Sequence, residues 1–154
     1  MKSPNTSVRI AAKTIITLLG LSVIWPLLPI PRANADDVVV VANPSVPYRE
    51  ITRNALRAIF GMRLRKWPDG QRITVFVLPD RSSIHDLFCK EDLSIFPHQY
   101  RLALDRLIYS GTGQAPHEVA SQMEMRAKVA STSDAIGYLS EEMVDDSVRV
   151  VEIR

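Results

Sequence analysis

Residues 36–154 are predicted to fold as a three-layer α/β domain, a single sheet covered by helices, on three observations. Apolar runs of strand length occur at 38–42, 73–78, 135–139 and 147–153. Segments with apolar residues at helical spacing lie between them. Turn formers separate most of these segments, and no internal repeat or low-complexity linker divides the chain.

The run Val38-Val39-Val40-Val41-Ala42 is apolar without alternation and stops at Asn43-Pro44, the pattern of a central strand buried on both faces. Thr52 then caps a helix over 53–60, with Ile51 and Leu56 placed as a hydrophobic staple and Gly61 available to close the end. Leu56, Ile59 and Phe60 share its inner face. Trp67-Pro68-Asp69-Gly70 makes a turn, and 73–78 is a second strand, stopped by Pro79 and Asp80. Either Ser82 or Ser83 caps the next helix, with Ile84, Leu87 and Phe88 facing inward. Pro97 fits the first position of a long helix in which Tyr100, Ala103, Leu104, Leu107 and Ile108 recur on one face until Ser110-Gly111. Ser121 and Glu124 match a capping box that opens a further helix over Met125 and Val129. Two late strands follow, at 135–139 and 147–153, joined by a polar connector around Glu141 and Glu142.

The start of the chain reads differently. Of 19 Lys and Arg residues, four (Lys2, Arg9, Lys13 and Arg32) precede residue 36, whereas all 17 acids lie at or beyond it. The positive leader, the apolar stretch 14–30 and Ala33-Asn34-Ala35 are read as a secretory signal peptide over residues 1–35, cleaved near Ala35. Export to the periplasm or medium is expected; the alternative is an uncleaved anchor, against which Pro26 and Pro29 weigh. Without the four leader cations the remainder carries 15 basic against 17 acidic residues, so no basic excess points to nucleic acid. One cysteine, Cys89, excludes an intrachain disulfide and a multi-cysteine metal site.

A family resemblance adds to this reading. The stretch from Val38 to Pro79 resembles the opening of the second lobe in phosphate-type periplasmic substrate-binding proteins of ABC transporters: a helix ends in Ile59-Phe60-Gly61, close to that family's Ile-Phe-x-Gly with one spacer fewer, and Trp67 and a strand follow. Ser133-Asp134-Ala135-Ile136-Gly137-Tyr138 is similar to the family's Pro-Gly-Ala-Ile-Gly-Tyr segment, with Ser133 and Asp134 in place of Pro and Gly. The resemblance implies one lobe of the class 2 periplasmic-binding-protein fold, a non-catalytic role, and phosphate or another oxyanion as ligand, with a membrane transporter or periplasmic protein as partner. Relatives bind phosphate with a Ser-Gly-Thr loop after the strand comparable to 73–78. Here that loop is Pro79-Asp80-Arg81-Ser82-Ser83-Ile84, so Arg81, Ser82 and Ser83 are the anion-binding candidates by helix-start amides, hydroxyls and a cation. The family's Gly-Thr is absent and Asp80 adds a like charge; the competing reading is that the serines only cap a helix. The chain begins almost at the second lobe, so the monomer is expected to offer a weak anion site or to meet a partner that supplies the other wall.

Other features carry less. Arg53, Arg57 and Trp67 are candidates for a partner surface, the basis of an alternative reading as an interaction or assembly module; Trp67 alternatively covers the core. His85 and Cys89, four apart, are read as a surface imidazole and a buried thiol rather than as metal ligands or a catalytic pair, and no cofactor or catalytic residue is expected. Ser110-Gly111-Thr112-Gly113 is read as a helix stop.

Overall fold

The strand Val38–Ala42 (β1) sits third in a six-stranded sheet, where both edges of its backbone are paired. The computed structural model describes residues 37–111 and 113–154; the expected leader, its cleavage site and Thr112 lie outside the described residues. The other strands are Glu50–Ile51 (β2), Thr74–Val77 (β3), His117–Glu118 (β4), Ala135–Ser140 (β5) and Arg149–Ile153 (β6), in the spatial order β2-β6-β1-β5-β3-β4. β1 runs antiparallel to β5 and β6, in register Val40 with Tyr138 and Val40 with Val151, and the remaining pairs are parallel. The two edge strands are two residues each, too short for their apolar pattern to be visible in sequence, and short edges resist unwanted pairing.

Helices Arg53–Phe60 (α1), Ser83–Glu91 (α2), Pro97–Tyr109 (α3) and Gln122–Ser131 (α4) cover the sheet. The alternation of β5 assigns the faces. Tyr138 packs on Phe60 of α1 and Phe88 of α2, with centroids 5.9 and 3.9 Å away, whereas its neighbour Gly137 meets α4. A Cβ on Gly137 would lie 2.5 Å from Met125 Sδ and 3.1 Å from Val129 Cγ2, so glycine is what lets α4 approach the sheet. This is the expected three-layer α/β/α sandwich.

Local signals place the helix starts. Thr52 Oγ1 accepts from Ala55 N at 3.1 Å, and Ser121 Oγ accepts from Glu124 N at 3.2 Å while the Glu124 carboxylate accepts from Ala120 N. Helix ends depart more from expectation. Gly61 is not in the left-handed region; Met62 is, with φ 55°, and Gly61 is required because a Cβ there would lie 2.7 Å from the Arg57 carbonyl. The C-terminus of α4 is closed from a distance by Asn43, whose Nδ2 donates to Val129 O and Ala130 O. In α3 only Tyr100 and Leu104 are buried, so the inner face is narrower than its five-residue apolar stripe, and Ala103 and Ile108 remain exposed.

Trp67 explains the turn before β5. Its ring is 4% exposed, stacks on Tyr48 at 5.5 Å, and its Nε1 donates to Asp134 O at 3.2 Å, the same carbonyl that accepts from Thr74 N. Asp134 has φ 59°, the conformation that the family's glycine suits.

Candidate functional site

After β3 the chain turns at Leu78-Pro79-Asp80, closed by Ser82 N donating to Pro79 O at 2.8 Å, and α2 begins at Ser83. Ser82 occupies the capping position with extended backbone, yet its side chain makes no capping bond, a correction to the expected hydroxyl cap. Ser83 is the first helical residue and is exposed. The first-turn amides of α2 therefore lack the hydroxyl acceptor that Thr52 and Ser121 supply to α1 and α4. Arg81 is exposed, and among the described residues no ion pair includes it.

Asp80, the like charge in this loop, is turned aside. Its Oδ2 lies 3.4 Å from Arg101 Nη1 on α3 and its Oδ1 lies 3.7 Å from His85 Nε2. Beneath it is a cavity of about 240 Å³ between α3 and the ends of β3 and β4. Asp80, Asp105 and Glu118 face Arg101 across this space, an acidic balance that repels an anion from the interior. Arg81, Ser82 and Ser83 do not line this cavity.

His85 is not a surface imidazole. It is 1% exposed, and its Nδ1 lies 2.6 Å from the Tyr138 hydroxyl. That hydroxyl oxygen already accepts from Leu78 N at 2.8 Å, so the phenolic proton is donated to Nδ1 and the imidazole hydrogen is assigned to Nε2, facing Asp80 and Cys89 Sγ, 3.5 Å away. Burial lowers the His85 pKa, against the opposing charges of Asp80, Asp86 and Glu118. Burial, reinforced by Asp80 and Asp86, pushes the Cys89 thiol up to about 12. A neutral, fully buried thiol beside a neutral imidazole is a packing arrangement, since nucleophilic attack requires thiolate. Among the described residues no group of three or more His, Cys, Asp or Glu is placed to hold a metal ion.

Each of the three residues considered for a partner surface makes contacts within the fold. Arg53 Nη1 donates to Glu91 O and Asp92 O, and Arg57 Nε donates to Leu93 O at 2.8 Å, so both close the C-terminal end of α2. Trp67 is buried, which decides in favour of its core role. The contacts that sequence reasoning missed are those of His85 with Asp80 and Tyr138, and that of Asp80 with Arg101. The visible signal was the four-residue spacing of His85 and Cys89 beside Ile84 and Phe88, which puts all four on one buried face of α2.

The chain is a one-lobed α/β/α sandwich whose polar loop lies beyond the carboxyl end of a sheet strand, where open α/β sheets place their ligand crevices. A family model described as a PBP superfamily domain matches residues 32–149, and the chain belongs to that superfamily. Domains of this class bind their substrates and are non-catalytic. No curated protein matches the chain in sequence. Among solved structures it is similar to an ABC-type phosphate transport receptor from Vibrio cholerae, with TM-score 0.58 and 19% identity over 75% of this chain and 45% of that one. It is likewise similar to PstS from Borrelia burgdorferi, with TM-score 0.57 and 13% identity over 76% of this chain and 47% of that one. At these identities the likeness shows the fold alone, one lobe of the class 2 periplasmic-binding-protein type, and the chain spans less than half the length of either structure.

Proposed function

We propose that this chain is an exported oxyanion-binding lobe, with phosphate as the leading ligand, that serves beside a membrane transporter of the ABC type. The observation that carries this reading is the start of α2, where hydroxyl capping is absent and, among the described residues, the Ser82 and Ser83 side chains make no hydrogen bond and Arg81 has no carboxylate partner. Amide groups at a helix start, hydroxyl donors and a guanidinium are the groups that recognise a tetrahedral anion. The opposition of Asp80 is reduced by its pairing with Arg101 on the cavity side. The named function of the similar Vibrio cholerae receptor supports the ligand class, and the leader-like stretch at 1–35 supports export with cleavage near Ala35.

A single open wall does not exclude water as a closed two-lobed cleft does, so binding by the monomer is weak. Isothermal titration of the full chain with phosphate and with sulfate tests the reading. Saturable heat is expected, reduced about tenfold in affinity by Arg81→Ala or by the paired change Ser82→Ala and Ser83→Ala. No saturable heat with either anion, or heat that survives both variants, overturns it.

A further inference from the structure

At the far end of α2 from Ser82, roughly 13 Å along a nine-residue helix, lies a second concave region of opposite character. A cavity of about 440 Å³ opens between the end of α1 and one side of α3, floored by Leu93, Ile95, Tyr100 and Leu107 and edged by Arg57 and Arg63. A further cavity of about 280 Å³ shares Ser94, Ile95 and Gln99 with it and adds Lys90 and Phe96, so the two adjoin at the α2–α3 loop and are together termed the trough. No carboxylate lines either part. Lys90 is paired with Asp86, but among the described residues neither Arg57 nor Arg63 has an acidic partner. Phe96, 55% exposed, stands at the lip as an unburied aromatic.

We propose that this trough docks a segment of a partner protein that presents apolar side chains flanked by Asp or Glu. The apolar floor requires apolar side chains, and the arginine edges with no acid of their own require carboxylates beside them. The most acidic stretch of a second copy, 141–146, does not supply the segment. It has Met143 and Val144 packed against the core, and Arg126 holds Asp145 at 3.2 Å and Met143 O at 3.0 Å. Nothing apolar is left there to insert.

Photo-crosslinking of the full chain in its own cells tests the proposal, with p-benzoylphenylalanine, an aromatic side chain enlarged by a benzoyl group, in place of the exposed Phe96. The same group in place of Tyr109, which is 87% exposed and outside the trough, is the control. The expected result is an adduct specific to position 96 whose crosslinked peptide, identified by mass spectrometry, belongs to another protein and carries Asp or Glu beside apolar residues. Its yield should fall at least about tenfold with Arg63→Glu, which reverses an edge charge, or with Ala103→Trp, which fills the trough. Circular dichroism confirms that each variant is folded. An adduct with a second copy, with lipid or with a segment lacking acidic flanks overturns the proposal, as does an adduct that survives both variants or does not exceed the Tyr109 control. Arg81→Ala should leave the adduct unchanged, so this proposal and the oxyanion reading fail separately.

Discussion

The Tyr138 hydroxyl lies 2.6 Å from Nδ1 of His85 and accepts at the same time from Leu78 N, so one phenol ties β5 to the end of β3 and the first turn of α2. Each buried polar atom in this chain of bonds has a partner, and the arrangement sets where the polar loop at 79–83 emerges.

Removing the phenol oxygen should expose the strength of that tie. In Tyr138→Phe the Leu78 amide and the His85 acceptor lose their partner inside the core, a cost of about 2 kcal/mol in unfolding free energy. Urea unfolding measures it, and a loss below about 0.5 kcal/mol would show that water or local movement restores the bonds.

Asp92, just after α2, should cost stability at neutral pH. Burial raises its carboxyl from 3.8 to about 6, with Arg53 opposing and Glu91 adding to the shift. The native state then holds the proton more tightly than the unfolded chain, so stability falls as pH rises through about 4 to 6 and the deficit persists above. Asp92→Asn should stabilise the protein by about 1 kcal/mol at pH 7, a figure reduced for partial solvent screening. Equal stability of the two proteins at pH 7 would contradict this origin.

His85 works in the other direction. Its folded pKa is below the ordinary 6.5, so the unfolded chain takes up the proton first and stability, complete above about 6.5, declines as pH falls below it. The Asp92→Asn background isolates this slope, which His85→Leu should flatten between about pH 5 and 6.5 whatever it does to absolute stability. A slope unchanged by that replacement would mean that His85 titrates normally.

The left-handed backbone of Asp134 predicts an order of melting temperatures. Its carbonyl binds both Trp67 and Thr74, so φ stays near 59° and a side chain there is strained. Asp134→Gly should gain about 0.5 kcal/mol and Asp134→Val should lose about 1–2 kcal/mol, as β-branching worsens the clash. Thermal unfolding in the order Gly, Asp, Val from high to low is expected, and Val equal to Gly would place the strain elsewhere.

How much was legible from sequence depended on the range over which each feature is specified. The run of four valines, the caps Thr52 and Ser121, and Pro97 at a helix start each act within a few residues, and each element formed where its pattern lies. β2 and β4 escaped notice because two residues show no period, and their pairing is supplied by Glu152 with Ile153 and by Phe76 with Val77. The anion candidates were legible as types at a helix start. That Ser82 would leave its capping role unfilled was not, since a hydroxyl in that position caps two other helices of the same chain.

Local pattern by itself determined the alternation of strands and helices, the motif around Trp67, and the resemblance to one lobe of a binding protein. Only the tertiary structure decided that His85 is buried, that Arg101 turns Asp80 away from the loop, and that Arg53 and Arg57 close α2. Those outcomes join residues 53, 21 and between 36 and 39 positions apart, and at such separations a pairing exists only once the layers have packed. The helical period tells which residues share a face; which neighbour covers that face, and at what distance, is set by the packing of the whole sandwich.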